Sequence, residues 1–104
     1  MVFVESQSSW SINILVRILL YLADTIQAYL HDTQKDIHSK AQLWIPQPEF
    51  YVIYTGTDTV PATISLRKHF FFNQNSPLDL QAKVFNAETN DIIGQYIIFC
   101  RVLD

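Results

Sequence analysis

The sequence has little charge for its length. Charged residues make up 16% of the 104 residues, well below the roughly 25% of an average globular chain. Hydrophobic residues make up 49%, so the chain can bury a sizeable core, and intrinsic disorder is excluded. The formal net charge is −3, which argues against a protein that holds nucleic acid by bulk positive charge. The net charge does not exclude a nuclease, because a bound divalent metal can supply the positive charge that faces a phosphate.

Cysteine is almost absent, and so are the common catalytic motifs. The single cysteine, Cys100, lies in the apolar run 97–100, so we expect a buried small side chain and a reducing compartment. The sequence has no glycine-rich phosphate loop, no paired Cys/His metal spacing and no Gly-x-Ser-x-Gly elbow. The histidines His31, His38 and His69 are scattered and are interpreted as surface or rim residues.

Long hydrophobic runs are also absent. The longest apolar stretch, Ile12 to Ala23, includes Asn13 and Arg17 and is too short to span a bilayer. The N-terminus carries Glu5 and no basic leader, so no signal peptide is expected. We therefore predict a cytoplasmic protein without membrane contact.

The N-terminal third predicts a strand followed by a long helix. Residues 2–4 are β-branched and aromatic and read as a short strand that ends at 5–7. Because this strand begins at the second residue, we expect further sequence upstream in the natural protein. A helix is predicted from about Trp10 to His31, with Ser8, Ser9 or Ser11 as its N-cap.

The predicted helix is apolar around most of its circumference. Its polar exceptions form one narrow stripe of Asn13, Arg17, Tyr21 and Asp24. A helix of this kind is expected to be buried on several sides. Residues 31–42 are polar and mixed in charge, which predicts a solvated loop or a frayed helix end.

The remaining sequence predicts strands and a last helix. Residues 45–48 indicate a turn, and Glu49 to Tyr54 predict a central strand that is covered on both faces. Residues 64–72 fit a short strand or a loop with a helical turn, and 73–77 fit a loop. Residues 80–85 alternate as a strand does, 86–90 break it, and a helix begins near Asp91. The predicted order is β-α-β-(β)-β-α, an α/β (α+β) chain that forms one partial domain over 1–104.

One arrangement has chemical content. Glu5 and Gln7 lie two residues apart at a strand end and therefore share one face. A carboxylate there can hold Mg²⁺ through oxygen, and an adjacent polar group can orient a water. The following helix presents the stripe of Asn13, Arg17 and Tyr21, whose arginine can steady a phosphate. A glutamate at a strand end is nevertheless most often a plain solvent-facing residue.

Three blocks of sequence resemble the PD-(D/E)XK nuclease family transposases, also described as recombination-promoting nucleases. The first block is 4–8 with Asn13, Arg17 and Tyr21 in the helix. The second is Ile45-Pro46-Gln47-Pro48-Glu49-Phe50-Tyr51-Val52-Ile53-Tyr54-Thr55-Gly56, and the third is Leu80-Gln81-Ala82-Lys83-Val84-Phe85-Asn86. The resemblance covers most of the chain, and the three blocks in order are more specific than any one of them.

The resemblance implies a restriction-endonuclease-like fold and Mg²⁺-dependent cleavage of DNA. It implies that Glu5 is a metal ligand and that Gln7, which stands where many nucleases of the superfamily carry lysine, orients water. It also implies that the helix stripe, Arg17 especially, lines the site. The family's metal-binding aspartate belongs upstream of the Glu-x-Gln strand, where this chain has four residues. We therefore expect a fragment truncated at both ends, with weak Mg²⁺ binding and no activity alone. Replacement of the missing ligand by another aspartate is assigned little weight (Asp24, Asp58, Asp79, Asp91).

Two hypotheses without catalysis stay open. In the first, the chain is a self-associating module, with a homodimer that completes its sheet across the interface. In the second, it is a structural domain with no chemistry.

Overall fold

A computed structural model describes residues 1–71 and 75–86. Its elements are β1 (Val2–Gln7), α1 (Ile14–Asp32), β2 (Glu49–Tyr54), β3 (Thr63–Ser65), α2 (Leu66–His69) and β4 (Gln81–Asn86). The four strands form one mixed sheet in the order β1-β2-β4-β3. The predicted mixed α/β class is therefore confirmed. The predicted last helix from Asp91 and the burial of Cys100 lie outside the described residues.

Strand β2 is the centre of a parallel unit. It pairs in parallel with β1 on one side and with β4 on the other, while β3 runs antiparallel to β4. The β1–β2 pairing runs from Val2 opposite Glu49 to Gln7 opposite Tyr54. Two parallel strands cannot be joined by a tight turn, so the chain needs a crossover, and α1 supplies it.

The core lies between α1 and one face of the sheet. From the helix it takes Ile14, Leu15 and Ile18, which are at most 1% exposed. From the strands and their connections it takes Val52, Ile64, Leu66, Leu80 and Ala82. Partners in the pairing register share a face of the sheet. Glu5 and Gln7, opposite Val52 and Tyr54, therefore lie on the face that α1 covers.

The opposite face of the sheet is also buried at its centre. Tyr51 is only 3% exposed, and its ring contacts that of Phe85 on the neighbouring strand at a centroid distance of 5.9 Å. Its hydroxyl donates a hydrogen bond to Oε1 of Glu49 at 3.0 Å. Since Val52 on the first face is fully buried, the prediction that 49–54 form a central strand covered on both faces is confirmed.

The start of α1 differs from the prediction. The helix begins at Ile14 rather than Trp10, and its N-cap is Asn13, whose side chain makes no capping bond. The predicted serine caps are wrong because the chain first makes a turn. Within it, the Ile14 N–H bonds the Ser11 carbonyl, and the Ser11 hydroxyl accepts from the Asn13 N–H. Ser11 therefore supports the turn, one step ahead of the helix.

The surroundings of α1 also differ from the prediction. Val16, Leu20 and Tyr21 are 38%, 60% and 46% exposed, so the expectation of burial on several sides is wrong for the described residues. Among the described elements, the sheet is the layer that packs against the helix, and one layer covers one side of it. The apolar residues on the other side are left at the surface.

Smaller differences concern boundaries and loops. Strand β1 runs from Val2 to Gln7, so Glu5 and Gln7 lie in its last three residues, at the predicted strand end. Residues 42–48 form no turn and run irregularly into β2. Within the ambiguous segment 64–72, the described residues 64–71 contain both predicted alternatives, since β3 leads directly into the short helix α2. The alternating segment 80–85 is confirmed as β4.

By length and composition, α1 meets the requirements for a membrane-spanning helix. It has 19 residues and a mean hydropathy of 1.2 over its most apolar window, of which 22% is buried. The apolar stretch from Ile12 to Ala23 is by itself too short to span a bilayer, but the helix continues to Asp32. A core helix of a soluble protein has the same properties, so the cytoplasmic location stays a prediction.

Candidate functional site

Glu5 and Gln7 lie on one face of β1, as their spacing requires. The Gln7 Nε2 atom donates a hydrogen bond of 3.4 Å to the Ser11 carbonyl, which fastens the side chain to the turn before α1. Glu5 is partly buried, and among the residues described it makes no hydrogen bond or ion pair. Glu5 and Gln7 both lie in β1, which is an edge strand of the described sheet. Glu5 is therefore a free carboxylate at the rim of the layer between sheet and helix.

A polar row crosses the carboxyl ends of the three parallel strands. The register places Gln7, Tyr54 and Asn86 side by side at the ends of β1, β2 and β4. In open α/β sheets, ligands bind outside this edge. The Asn86 Oδ1 atom is buried and has no hydrogen-bond partner among residues 1–71 and 75–86. Sequence reasoning missed this row, although the polar last residue of each predicted strand was a usable signal.

Tyr54 is the most constrained member of the row. It is 1% exposed and meets Trp10 edge-on, with ring centroids 5.7 Å apart. Its hydroxyl donates to Oδ2 of Asp58 at 3.2 Å and accepts the Asp58 backbone N–H at 3.1 Å. The Tyr54 side chain thus holds the loop after β2 against the core, and the Asp58 carboxylate is used in that contact.

The helix stripe lies apart from Glu5. Asn13, Arg17 and Tyr21 are exposed, whereas the side of α1 that faces the sheet carries Ile14, Leu15 and Ile18. No ion pair joins Arg17 to Glu5 among the residues in 1–71 and 75–86. The structure therefore brings Glu5 and Gln7 together and leaves the stripe on the solvent side of the helix.

The described residues do not supply a complete donor set for a metal. Within 1–71 and 75–86, no group of three or more His, Cys, Asp or Glu residues is close enough to hold an ion. Asp24 is exposed on α1, Asp58 bonds Tyr54, and Asp91 lies outside the described residues. Hydrolytic magnesium sites generally use two or more carboxylates, so Glu5 alone does not fit Mg²⁺.

Asp79 has a structural role at the other edge of the sheet. Its Oδ1 accepts the Arg67 backbone N–H at 3.1 Å, and its Oδ2 accepts from Gln81 Nε2 at 3.2 Å. Partial burial raises the pKa of this carboxyl, but the hydrogen bonds from Arg67, Gln81 and Leu80 and the Arg67 charge together hold the pKa below its usual value. Asp79 therefore ties α2 to the start of β4.

The histidines contribute no cluster. His31 and His38 are exposed, and the Nδ1 atom of His69 lies 3.1 Å from the Ser65 carbonyl oxygen. The interpretation of these residues as surface or rim histidines is consistent with their positions.

Comparison of the chain with protein-family models, with curated proteins and with solved structures finds no significant match.

Proposed function

We propose that this chain is part of a cytoplasmic, metal-dependent DNA-cleaving domain of the PD-(D/E)XK type, in which Glu5 is one metal ligand. The observation that supports the proposal is the placement of Glu5 and Gln7 on one face of a strand that a helix connects to a parallel strand. Two further observations agree with the proposal. Glu5 has no partner among the described residues, and Gln7 belongs to the polar row at the carboxyl ends of the parallel strands.

Each residue has a limited part in this proposal. Glu5 offers one oxygen ligand, and further ligands have to come from outside the described residues or from a second chain. Gln7 is held by Ser11 through Nε2, which leaves Oε1 able to accept a hydrogen bond from water. When bound, Mg²⁺ would neutralise charge on a DNA phosphate. Asn13, Arg17 and Tyr21 can contact DNA only from the solvent side of α1.

The test of the proposal is metal binding measured by calorimetry. Mg²⁺ and Mn²⁺ are titrated into the chain, into Glu5→Gln and into the control Asp32→Asn, which removes a carboxylate that is 79% exposed. We expect binding in the first and third proteins and at least about tenfold weaker binding in Glu5→Gln. Nicking of supercoiled plasmid is measured in parallel, and none is expected from the chain alone.

Other results would refute the proposal. Equal binding in all three proteins would place the metal away from Glu5. No binding in any of them would leave the chain without a metal site, and the nuclease proposal would then fail.

A self-associating module without catalysis is the second candidate. It is favoured by the position of β1, which pairs only with β2 among the described strands. Strand edges with free N–H and C=O groups add a further strand readily. In this form of the hypothesis two copies join edge to edge through β1 and complete one sheet. Replacement of Val4 by proline, which removes a backbone donor, should then weaken the dimer in sedimentation.

A further inference from the structure

The exposed side of α1 carries two opposite charges without partners. Arg17 and Asp24 are both exposed, and neither makes an ion pair with any residue in 1–71 or 75–86. They lie seven residues apart, which is close to two turns, so they project from the same side of the helix. Their separation along the axis is about 10 Å, too far for them to pair with each other.

Apolar side chains occupy the surface between and beside these charges. Leu20 is 60% exposed, Tyr21 46% and Val16 38%. Monomeric proteins expose single apolar side chains routinely, but a contiguous group rimmed by charges marks an interaction surface. We name this surface, formed by Val16, Arg17, Leu20, Tyr21 and Asp24, the helix patch.

The helix patch is complementary to itself. Residues 17 and 24 are equidistant from a point between residues 20 and 21. A twofold axis that runs through that point along the surface of the patch, perpendicular to the helix axis, relates two copies of the chain. It places Arg17 of each copy opposite Asp24 of the other. It also places Leu20 of one copy beside Leu20 of the second on one flank of the axis, and Tyr21 beside Tyr21 on the other flank. The two helices then run antiparallel, so their dipoles oppose each other favourably, and the interface is isologous.

We propose that the helix patch is a homodimer interface in which two copies of α1 pack antiparallel. Arg17 and Tyr21 of the polar stripe thereby acquire a role that does not involve DNA. The proposal requires no metal and does not depend on Glu5. Because one helix pair buries little area, the dimer belongs to the weak class of interfaces, with a Kd between micromolar and submillimolar.

The decisive experiment reverses charges one at a time and then together. In Arg17→Asp, positions 17 and 24 are both negative, and in Asp24→Arg both are positive. Each single variant should weaken its own homodimer about tenfold in sedimentation equilibrium. An equimolar mixture should form a heterodimer near the original affinity, because each contact again joins opposite charges. The double variant should also recover the homodimer.

Two further variants separate this surface from others. Leu20→Ser should raise the dimer Kd about a hundredfold, since one leucine is lost from each copy. Lys40→Asp changes charge by the same amount as Arg17→Asp at an exposed loop position, and it should leave the dimer unchanged. Circular dichroism should show normal helix content in every variant, because the substituted side chains are exposed.

Four outcomes would overturn the proposal. One is a monomer at all concentrations up to about 1 mM. A second is a dimer that none of the helix-patch variants weakens, which would assign the contact to another surface such as β1. The third is a monomer that partitions into neutral phospholipid vesicles with a blue shift of tryptophan emission, which would assign the apolar helix surface to lipid. A mixture of the single variants that fails to associate would refute the antiparallel pairing.

Discussion

Leucine-to-alanine substitution at two positions of α1 tests which side of the helix faces the core. Leu15 is fully buried and Leu20 is 60% exposed, yet they lie only five residues apart in one helix. Leu15→Ala removes buried methyl groups and leaves a cavity, which should lower the free energy of unfolding by about 3 kcal/mol. Leu20→Ala removes exposed surface and introduces a better helix former, so its cost should stay within about 0.5 kcal/mol.

Urea denaturation followed by tryptophan fluorescence and by circular dichroism provides the assay. Trp10 packs against the core, so its emission reports on the same layer as Leu15. With a slope of about 1.5 kcal/mol per molar urea, Leu15→Ala should lower the transition midpoint by about 2 M. Since the helix patch buries Leu20 in the proposed dimer, both variants are measured at high and low protein concentration. Equal costs at low concentration, or a larger cost for Leu20→Ala, would refute the orientation of α1.

Two further predictions concern loops around the sheet. Asp79→Asn should destabilise the protein most at neutral pH. The folded-state pKa of Asp79 lies below the unfolded value near 3.8. The carboxylate's contribution to stability is therefore present above the unfolded value and is lost as pH falls through the folded-state pKa. The stability gap between the two proteins should therefore narrow in acid, and a gap that widens there would contradict the assignment. Gly56→Ala should cost about 1–3 kcal/mol in thermal unfolding, because a Cβ would overlap the phenol of Tyr54, while Thr57→Ala next to it should be nearly neutral.

The parts of the fold that could be predicted are those with strong local signals. The bounds of β2 were predicted correctly because 49–54 is rich in β-branched and aromatic residues between a proline and a glycine. The centre of α1 was predicted because no glycine or proline interrupts it. Its start was misplaced because a turn closed by Ser11 has the same sequence signals as an N-cap.

The relation between elements was harder to predict. The hydrophobic pattern of a helix does not show how many layers pack around it. The exposure of Leu20 therefore could not be predicted from its neighbours in the sequence. The pairing of Glu5 and Gln7 on one face follows from strand geometry alone. The alignment of Gln7, Tyr54 and Asn86 depends on the register between strands, which sequence spacing does not determine.

The crossover between β1 and β2 has a consequence for the order of folding. These strands are hydrogen-bonded neighbours, but α1 and the loop 33–48 separate them in the sequence. The chain has to close this long loop before a single β1–β2 bond forms, and loop closure costs entropy that only later contacts offset. We therefore expect α1 and the strand pair β3–β4 to form early, with β1 docking last. A strand that arrives late has the lowest barrier to detachment, and its amide hydrogens should exchange with solvent before those of β2.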